Sequence, residues 1–452
     1  MQAENSLHRV VDGTDAVTRM WTINRKVSPM KVQTSTKALA SLAALSLVAL
    51  VGCSSADPVS SPEESPTTEA APEFSGELTV WVDADRAGVL GDVAADFTDN
   101  TGVSVELVEK EFGDIRDDFT TQVPTGQGPD IIVGAHDWLG KLVQNGVVAP
   151  IELGDRAGEF QEVAVNAMSY EGNTYGLPYS IENIAMLRNA DLAPEAPATF
   201  DDLLTTGEDL MASGDVEYPF LVGLDPNAAD PYHLYPLQAS FGSTVFELNA
   251  DGTYDPEQLA MGGEAGEAFA TAMAEWGAAG VLNTNISGDI ALEEFRAGKS
   301  AFLLTGPWNV PAIDEAGINY AIDAIPSAGG SPATPFVGVQ GFYVNAQSEN
   351  GLAANEFLVN YIGTEEVQTA LYEVGGRAPA LTAAFDAAQS NPDVAAFGAV
   401  GAEGVPMPNV PAMDMVWADW GTAEVAIING DGDPVELWRT MVASIENSIS
   451  GE

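Results

Sequence analysis

Four carboxylates and four large rings stand out as groups able to act together: Asp85, Asp137, Glu182 and Asp230, with Tyr179, Tyr232, Trp308 and Trp417. Two chemistries suit such a set. A pair of carboxyls about 5–9 Å apart, one with a raised pKa, hydrolyses a glycosidic bond. The same residue types also bind a saccharide without cleaving it. Carboxylates accept from hydroxyls while an aromatic face covers the apolar C–H side of the ring. Sequence spacing does not decide between the two. The stretch GPDIIVGAHDWLG concentrates the question, because His136, Asp137 and Trp138 follow directly on the apolar run Ile131–Val133. His136 reads as support for its loop, and Asp137 has a competing use as a cap for the next helix.

The binding alternative is energetically sufficient. A ring that buries on the order of 100 Å² against a sugar contributes about 2.5 kcal/mol. Each hydrogen bond to a charged group adds roughly 1.5–3 kcal/mol. Two or three stacks with several bonds, less the free energy of association, leave about 8 kcal/mol, a micromolar affinity.

Other chemistries find little support. The three histidines are His8, His136 and His233, and there is no HExxH or Cys/His cluster, so no zinc site is expected. Asn429–Glu436, NGDGDPVE, alternates oxygen-bearing side chains but lacks the twelve-residue calcium spacing, and a turn capping the last helix is the plainer reading. There is no GxxxxGK[ST], no GxSxG and no SxxK. No motif calls for a cofactor.

These groups need a scaffold, and the pattern of elements supplies one. Leu78–Val82 is a strand by composition; residues 89–102 place Val93, Ala94 and Phe97 on one helical face and close at Gly102. VSVELVE is a second strand, DIRDDFTTQVPTGQG a helix broken at Pro124, PDIIVG a third strand and WLGKLVQNG a third helix. This alternation predicts a parallel α/β sheet. Ligands of such sheets sit beyond the carboxyl ends of the strands, where Asp83–Arg86 and His136–Trp138 fall. Later segments continue as mixed α/β, ending in two helices around NGDGD. Trp81, Trp276 and Trp438 read as core residues.

At 452 residues the chain exceeds one ordinary core, so two lobes are expected. Acidic residues outnumber basic ones 67 to 16, a net charge of -51. Nucleic acid is therefore excluded as a partner, since the field repels phosphate. The single cysteine, Cys53, closes a basic-then-apolar segment from Met30 that ends Leu50-Val51-Gly52-Cys53. This resembles the lipobox of bacterial lipoproteins, which implies cleavage before Cys53 and acylation of it. Residues 1–29 read as a leader ahead of the true start, 30–52 as the signal peptide, and 53–75, rich in Ser, Pro, Glu and Thr, as anchor and disordered tether.

From about Ser75 onward the chain resembles maltose/maltodextrin-binding proteins of sugar ABC importers, in the cluster B solute-binding family. The resemblance rests on LTVWVDADRAG, TGQGPDIIVGAHDWLG, YGLPYSIENIAMLRNADLAP, FRAGKSAFLLTGPWNV, PFVGVQGFYVNA and VPMPNVPAMDMVWADWGTAEVAIING, in the family order. It implies a type II periplasmic-binding-protein-like α/β fold of two hinge-linked lobes around a ligand cleft. The N-lobe would comprise 76–180 and 342–386, the C-lobe 184–338 and 391–452, with crossings near Ile181–Ile184, near Val339–Phe342 and around 386–391.

By the same resemblance, Asp85, Arg86 and Asp137 would hydrogen-bond hydroxyls, Trp138 would line a subsite, and Glu182 would accept from a central hydroxyl. Asp230 stands where the family usually has Glu, beside Tyr232, and Trp308 and Trp417 would stack on pyranose rings. Departures are Gly134 where members often carry Trp, Ala418 and Gly421 where Tyr and Arg are usual, with Trp420 close by, and Arg116 where a carboxylate can stand. The implied function is capture of maltose or maltooligosaccharides, with the closed form docking on an ABC permease heterodimer served by ATPase subunits. The implied location is the outer face of the cytoplasmic membrane, with Cys53 as lipid anchor and no catalysis. A glycosidase, a binding protein for another sugar such as trehalose, and an adhesion or scaffold lipoprotein remain the alternatives.

Overall fold

The computed structural model describes residues 76–249 and 253–451. Cys53, the apolar segment before it and the tether lie outside the described residues. Among the described residues no helix is long and apolar enough to cross a membrane.

The first half builds as its pattern dictates. Strand β1 (Glu77–Val82) leads into α1 (Ala84–Thr101), β2 (Ser104–Glu109), α2 (Phe112–Gln122) and β3 (Ile131–Ala135), then a 3₁₀ turn (His136–Trp138) and α3 (Leu139–Gln144). β1 pairs in parallel with both β2 and β3, as helical crossovers require. Helix α1 begins at Ala84, before the stretch its apolar pattern marks. The Asp83 carboxylate caps it by accepting from the Arg86 backbone N–H at 3.3 Å, a contact worth about 1 kcal/mol. Asp85 and Arg86 therefore ride on the first turn of a helix, which fixes their direction.

The sheet is mixed rather than wholly parallel, which corrects the expectation from the sequence. Its order is Ala378–Pro379, Gly176–Asn183, Phe336–Asn345, β3, β1, β2, with Val148–Ala149 and Val405–Pro406 also on the long strand. Phe336–Asn345 runs antiparallel to β3 and to Gly176–Asn183. No crossover helix links β3 to this strand, so nothing imposes a parallel sense. It enters from the other lobe some two hundred residues later.

The second sheet has four strands, Tyr320–Asp323, Ala185–Asn189, Phe302–Thr305 and Leu221–Val222 in that order. Its residues alternate between two apolar layers with the period of a strand. Met186, Phe302 and Leu304 face a core with Phe200, Phe269, Trp276, Trp420 and Trp438. Ala185, Leu187 and Leu303 face another with Phe295 and Ile313. The first sheet has its own core, including Val80, Phe97, Phe119, Ile132 and Phe342. Two lobes with separate cores follow. Only Ile184 separates the strand Gly176–Asn183 of one sheet from Ala185–Asn189 of the other.

The last two helices, Asp414–Asn429 and Pro434–Ser450, flank a turn made of caps. Gly430 is left-handed at φ +75°, and the Asp433 side chain accepts from the Glu436 N–H. Among the described residues no group of three or more His, Cys, Asp or Glu is placed to hold a metal ion.

Candidate functional site

A cleft of about 1090 Å³ lies between the sheets, just above the usual range for small-molecule sites. All nine residues singled out in the sequence line it: Asp85, Arg86, Asp137, Trp138, Glu182, Asp230, Tyr232, Trp308 and Trp417. Tyr179 does not. It is buried beneath, where its hydroxyl accepts from Arg86 Nε.

One wall comes from the carboxyl ends of β1, β2 and β3. Asp85 is exposed there. The Arg86 guanidinium is turned inward, paired with Asp83 and Tyr179, and its Nη2 is sealed from solvent without a partner. The end of β2 adds Glu109, Lys110, Glu111 and Phe112. The Phe112 ring lies 5.0 Å from that of Trp138.

The floor is the crossing strand. Glu182 is buried, and its two oxygens are held by donors from two other segments. Gln340 Nε2 donates to Oε1 at 2.9 Å and Arg377 Nε to Oε2 at 2.6 Å. The Arg377 guanidinium also lies 5.2 Å over the Trp308 ring.

The opposite wall carries Asp230, Tyr232, Trp308 and Trp417. Asp230 caps the helix Pro231–Ser240, its Oδ1 accepting from the His233 N–H at 3.1 Å, while Oδ2 meets His233 Nδ1 at 2.7 Å. Trp417 stands half-buried on the helix Asp414–Asn429. Its Nε1–H donates to Asp137 Oδ2 at 3.2 Å. Asp137 is thus engaged by a ring of the other lobe and does not cap α3. Trp420 is fully buried and stacks behind Trp417 at 5.6 Å and 12°, so it backs the cleft rather than lining it. At the rim, Arg116 and Lys141 of the first wall both reach Asp414, at 3.5 and 3.0 Å.

Burial sets the charges at this junction. His136 is pushed down to about 4 by desolvation, so it is neutral. Its Nδ1 accepts from the Val339 N–H at 3.0 Å, which places the proton on Nε2, bonded to the Met407 carbonyl at 2.9 Å. It ties β3 to the long strand and to the Met407 segment, and touches no open space. Asp137 is raised to about 6, chiefly by desolvation, against the opposing pull of Arg116 and the Trp417 bond. Glu424, one turn beyond Trp420, is buried with the Trp420 indole beside it. Burial and then the Asp230 charge hold its carboxyl well above the usual range.

Residues 92–398 match the family model described as bacterial extracellular solute-binding protein. The chain belongs to that family. Among solved structures it is similar to the Thermus thermophilus maltotriose binding protein bound with maltotriose, with a TM-score of 0.75, 32% identity, and coverage of 82% of this chain and 100% of that one. The two-lobed binding-protein fold is therefore established. Curated relatives include the galactooligosaccharide-binding protein of Bacillus subtilis (strain 168), 27% identical over 86% of this chain and 93% of that one. Another is the maltooligosaccharide ABC transporter solute-binding lipoprotein of Streptococcus pneumoniae (strain ATCC BAA-255 / R6), 27% identical over 93% and 98%.

In this solute-binding protein two of the departures noted in the sequence have steric causes. A Cβ at Gly134 would sit 2.4 Å from Trp138 Cε3, so the Trp138 ring occupies the space that a side chain at 134 would fill. A Cβ at Gly421 would sit 2.2 Å from the Ala228 carbonyl oxygen, so the helix packs too closely on that turn for any larger residue. Asp230, shorter than Glu, is drawn back to its own helix as a cap. Sequence reasoning missed Gln340, Arg377 and the end of β2. The last was within reach, because the rule that selected the carboxyl ends of β1 and β3 applies equally to β2. Nothing local marks Arg377, whose partner Glu182 lies 195 residues away.

Proposed function

We propose that this protein captures a maltooligosaccharide-type sugar in its cleft and delivers it to an ABC permease heterodimer with ATPase subunits. The observation that carries the reading is the opposition of rings and carboxylates across one cleft. Trp138 and Phe112 stand on one wall and Tyr232, Trp308 and Trp417 on the other, with Asp85, Asp137, Glu109 and Glu111 along the first. That arrangement suits a chain of pyranoses, each with two apolar faces and a rim of hydroxyls. The names of the three relatives support an oligosaccharide ligand, and two of them a maltooligosaccharide.

In this reading eight of the nine cleft residues bind sugar, Arg86 being held inward by Tyr179 and Asp83, and none is catalytic. Glu182 is tied to Arg377 and Gln340 and so serves as a fixed acceptor. The lobes comprise residues 76–180 with 342–386 and 184–338 with 391–452, and closure on the ligand favours docking. Cys53 is acylated and residues 54–75 form the tether, which holds the body outside the cytoplasmic membrane. The closest competing reading is a glycosidase, since Asp137, raised to about 6, has the character of an acid.

Isothermal titration with maltose, maltotriose, trehalose and other glucosides, followed by recovery of the sugar, tests the proposal. Micromolar binding with intact sugar is expected. Cleaved sugar would establish the enzyme instead, and absence of binding to every saccharide would favour an adhesion or scaffold role. Mass spectrometry of the membrane-extracted protein tests the lipid at Cys53.

A further inference from the structure

We propose that Arg377, rather than Arg86, is the guanidinium that contacts the sugar, donating from its Nη groups to hydroxyls of the pyranose beside Trp308. The inference rests on the saccharide-binding reading above and names a residue that the sequence did not single out. Both arginines line the cleft, but they are not equally free. Arg86 is spent on the protein: Nε on Tyr179, Nη1 on Asp83, and Nη2 enclosed. Turning it outward would break the buried ion pair with Asp83.

Arg377 uses only Nε, on Glu182. Its Nη1 and Nη2 meet no acceptor among the described residues, yet they are not sealed from solvent. They are donors open to the cleft, and a ligand that covers them must supply acceptors in return. The guanidinium is also held in place. It lies over the Trp308 ring, and its own neighbour Gly376 is pressed against Pro307, where a Cβ would stand 2.3 Å from the carbonyl oxygen. The loop of one lobe is thereby seated on the Pro307–Trp308 turn of the other. A planar fork fixed beside an aromatic platform suits the hydroxyl rim of a stacked sugar.

The test is calorimetric titration of the full chain with maltotriose and its monodeoxy analogues, for wild type, R377M and R377K. R377M is expected to weaken maltotriose binding roughly 10- to 100-fold, and R377K to recover part of the loss as a point charge without the fork. One deoxy analogue should lose roughly tenfold or more against wild type and nothing further against R377M. A merely structural role would not produce that coupling. R377M binding within threefold of wild type, or deoxy losses identical in both proteins, overturns the proposal while the saccharide reading stands. Wild type that binds no saccharide overturns both. If R377M does not fold, R377K, which keeps the charge opposite Glu182, carries the same cycle, and deoxy losses identical to those of wild type overturn the proposal.

Discussion

Trp417 and Asp137 meet across the cleft, the indole Nε1–H of one lobe donating to the carboxylate of the other at 3.2 Å. The ring is thereby fastened at one edge, and the carboxylate gains a partner in a site where burial has raised it to about 6. Replacing Trp417 with Phe keeps an apolar face and deletes the donor. Asp137 should then titrate above its present value, and affinity at neutral pH should fall roughly tenfold, about one hydrogen bond to a charged group. Titrations from pH 5 to 8 would show the midpoint of binding moving upward. A midpoint that stays in place would sever the two residues.

Neighbouring His136 and Asp137 carry opposite pH signatures. His136, lowered to about 4 from 6.5, contributes stability that is whole above pH 6.5 and is lost as pH falls toward 4. Asp137, raised to about 6 from 3.8, contributes stability that is present below pH 3.8 and is lost as pH rises through 6. Each amounts to about 3 kcal/mol, so between pH 4 and 6 they nearly cancel. Asp137→Asn removes one of the pair. The variant should gain on wild type at pH 8 and lose that gain progressively toward pH 4. Denaturant midpoints for both proteins check this, and parallel profiles would refute it.

Removing both Trp308 and Trp417 as alanines should weaken oligosaccharide binding more than roughly 100-fold, from two stacks at about 2.5 kcal/mol each. Both rings are half-buried at the cleft, so the fold should survive. Calorimetry and thermal melting of the same preparation separate the two effects. Unchanged affinity would mean that neither ring stacks on the ligand.

Gly376→Ala combines two penalties, a left-handed φ of +67° and a clash with the Pro307 carbonyl. A loss of about 1–3 kcal/mol is expected, read as a drop in thermal midpoint. Sugar affinity should fall with it, because Arg377 shifts when its loop backs away. A melting point equal to wild type would show that the two turns do not press together.

How much of this was legible in the sequence depends on distance along the chain. β1 to α3 could be read because each element is local, alternating with period two or cycling with period 3.6, and each ends at a visible cap such as Gly102. The cleft could be approached through the ends of β1 and β3 for the same reason. What escaped was non-local. The antiparallel entry of Phe336–Asn345 depends on a return from the other lobe. The seizure of Glu182 by Arg377 joins residues 195 positions apart. The sequence marks Trp420 only as lying close to Trp417, and three positions around a helix send one ring to the cleft and the other into the core.

The single residue Ile184 between two strands leaves the molecule no slack at its waist. A deletion or insertion there would slip Ala185–Asn189 by one place and exchange Met186 with Leu187, turning each apolar layer of the second sheet toward the wrong partner. Changes of length are therefore borne by the loops outside this crossing, where they leave both apolar layers in register.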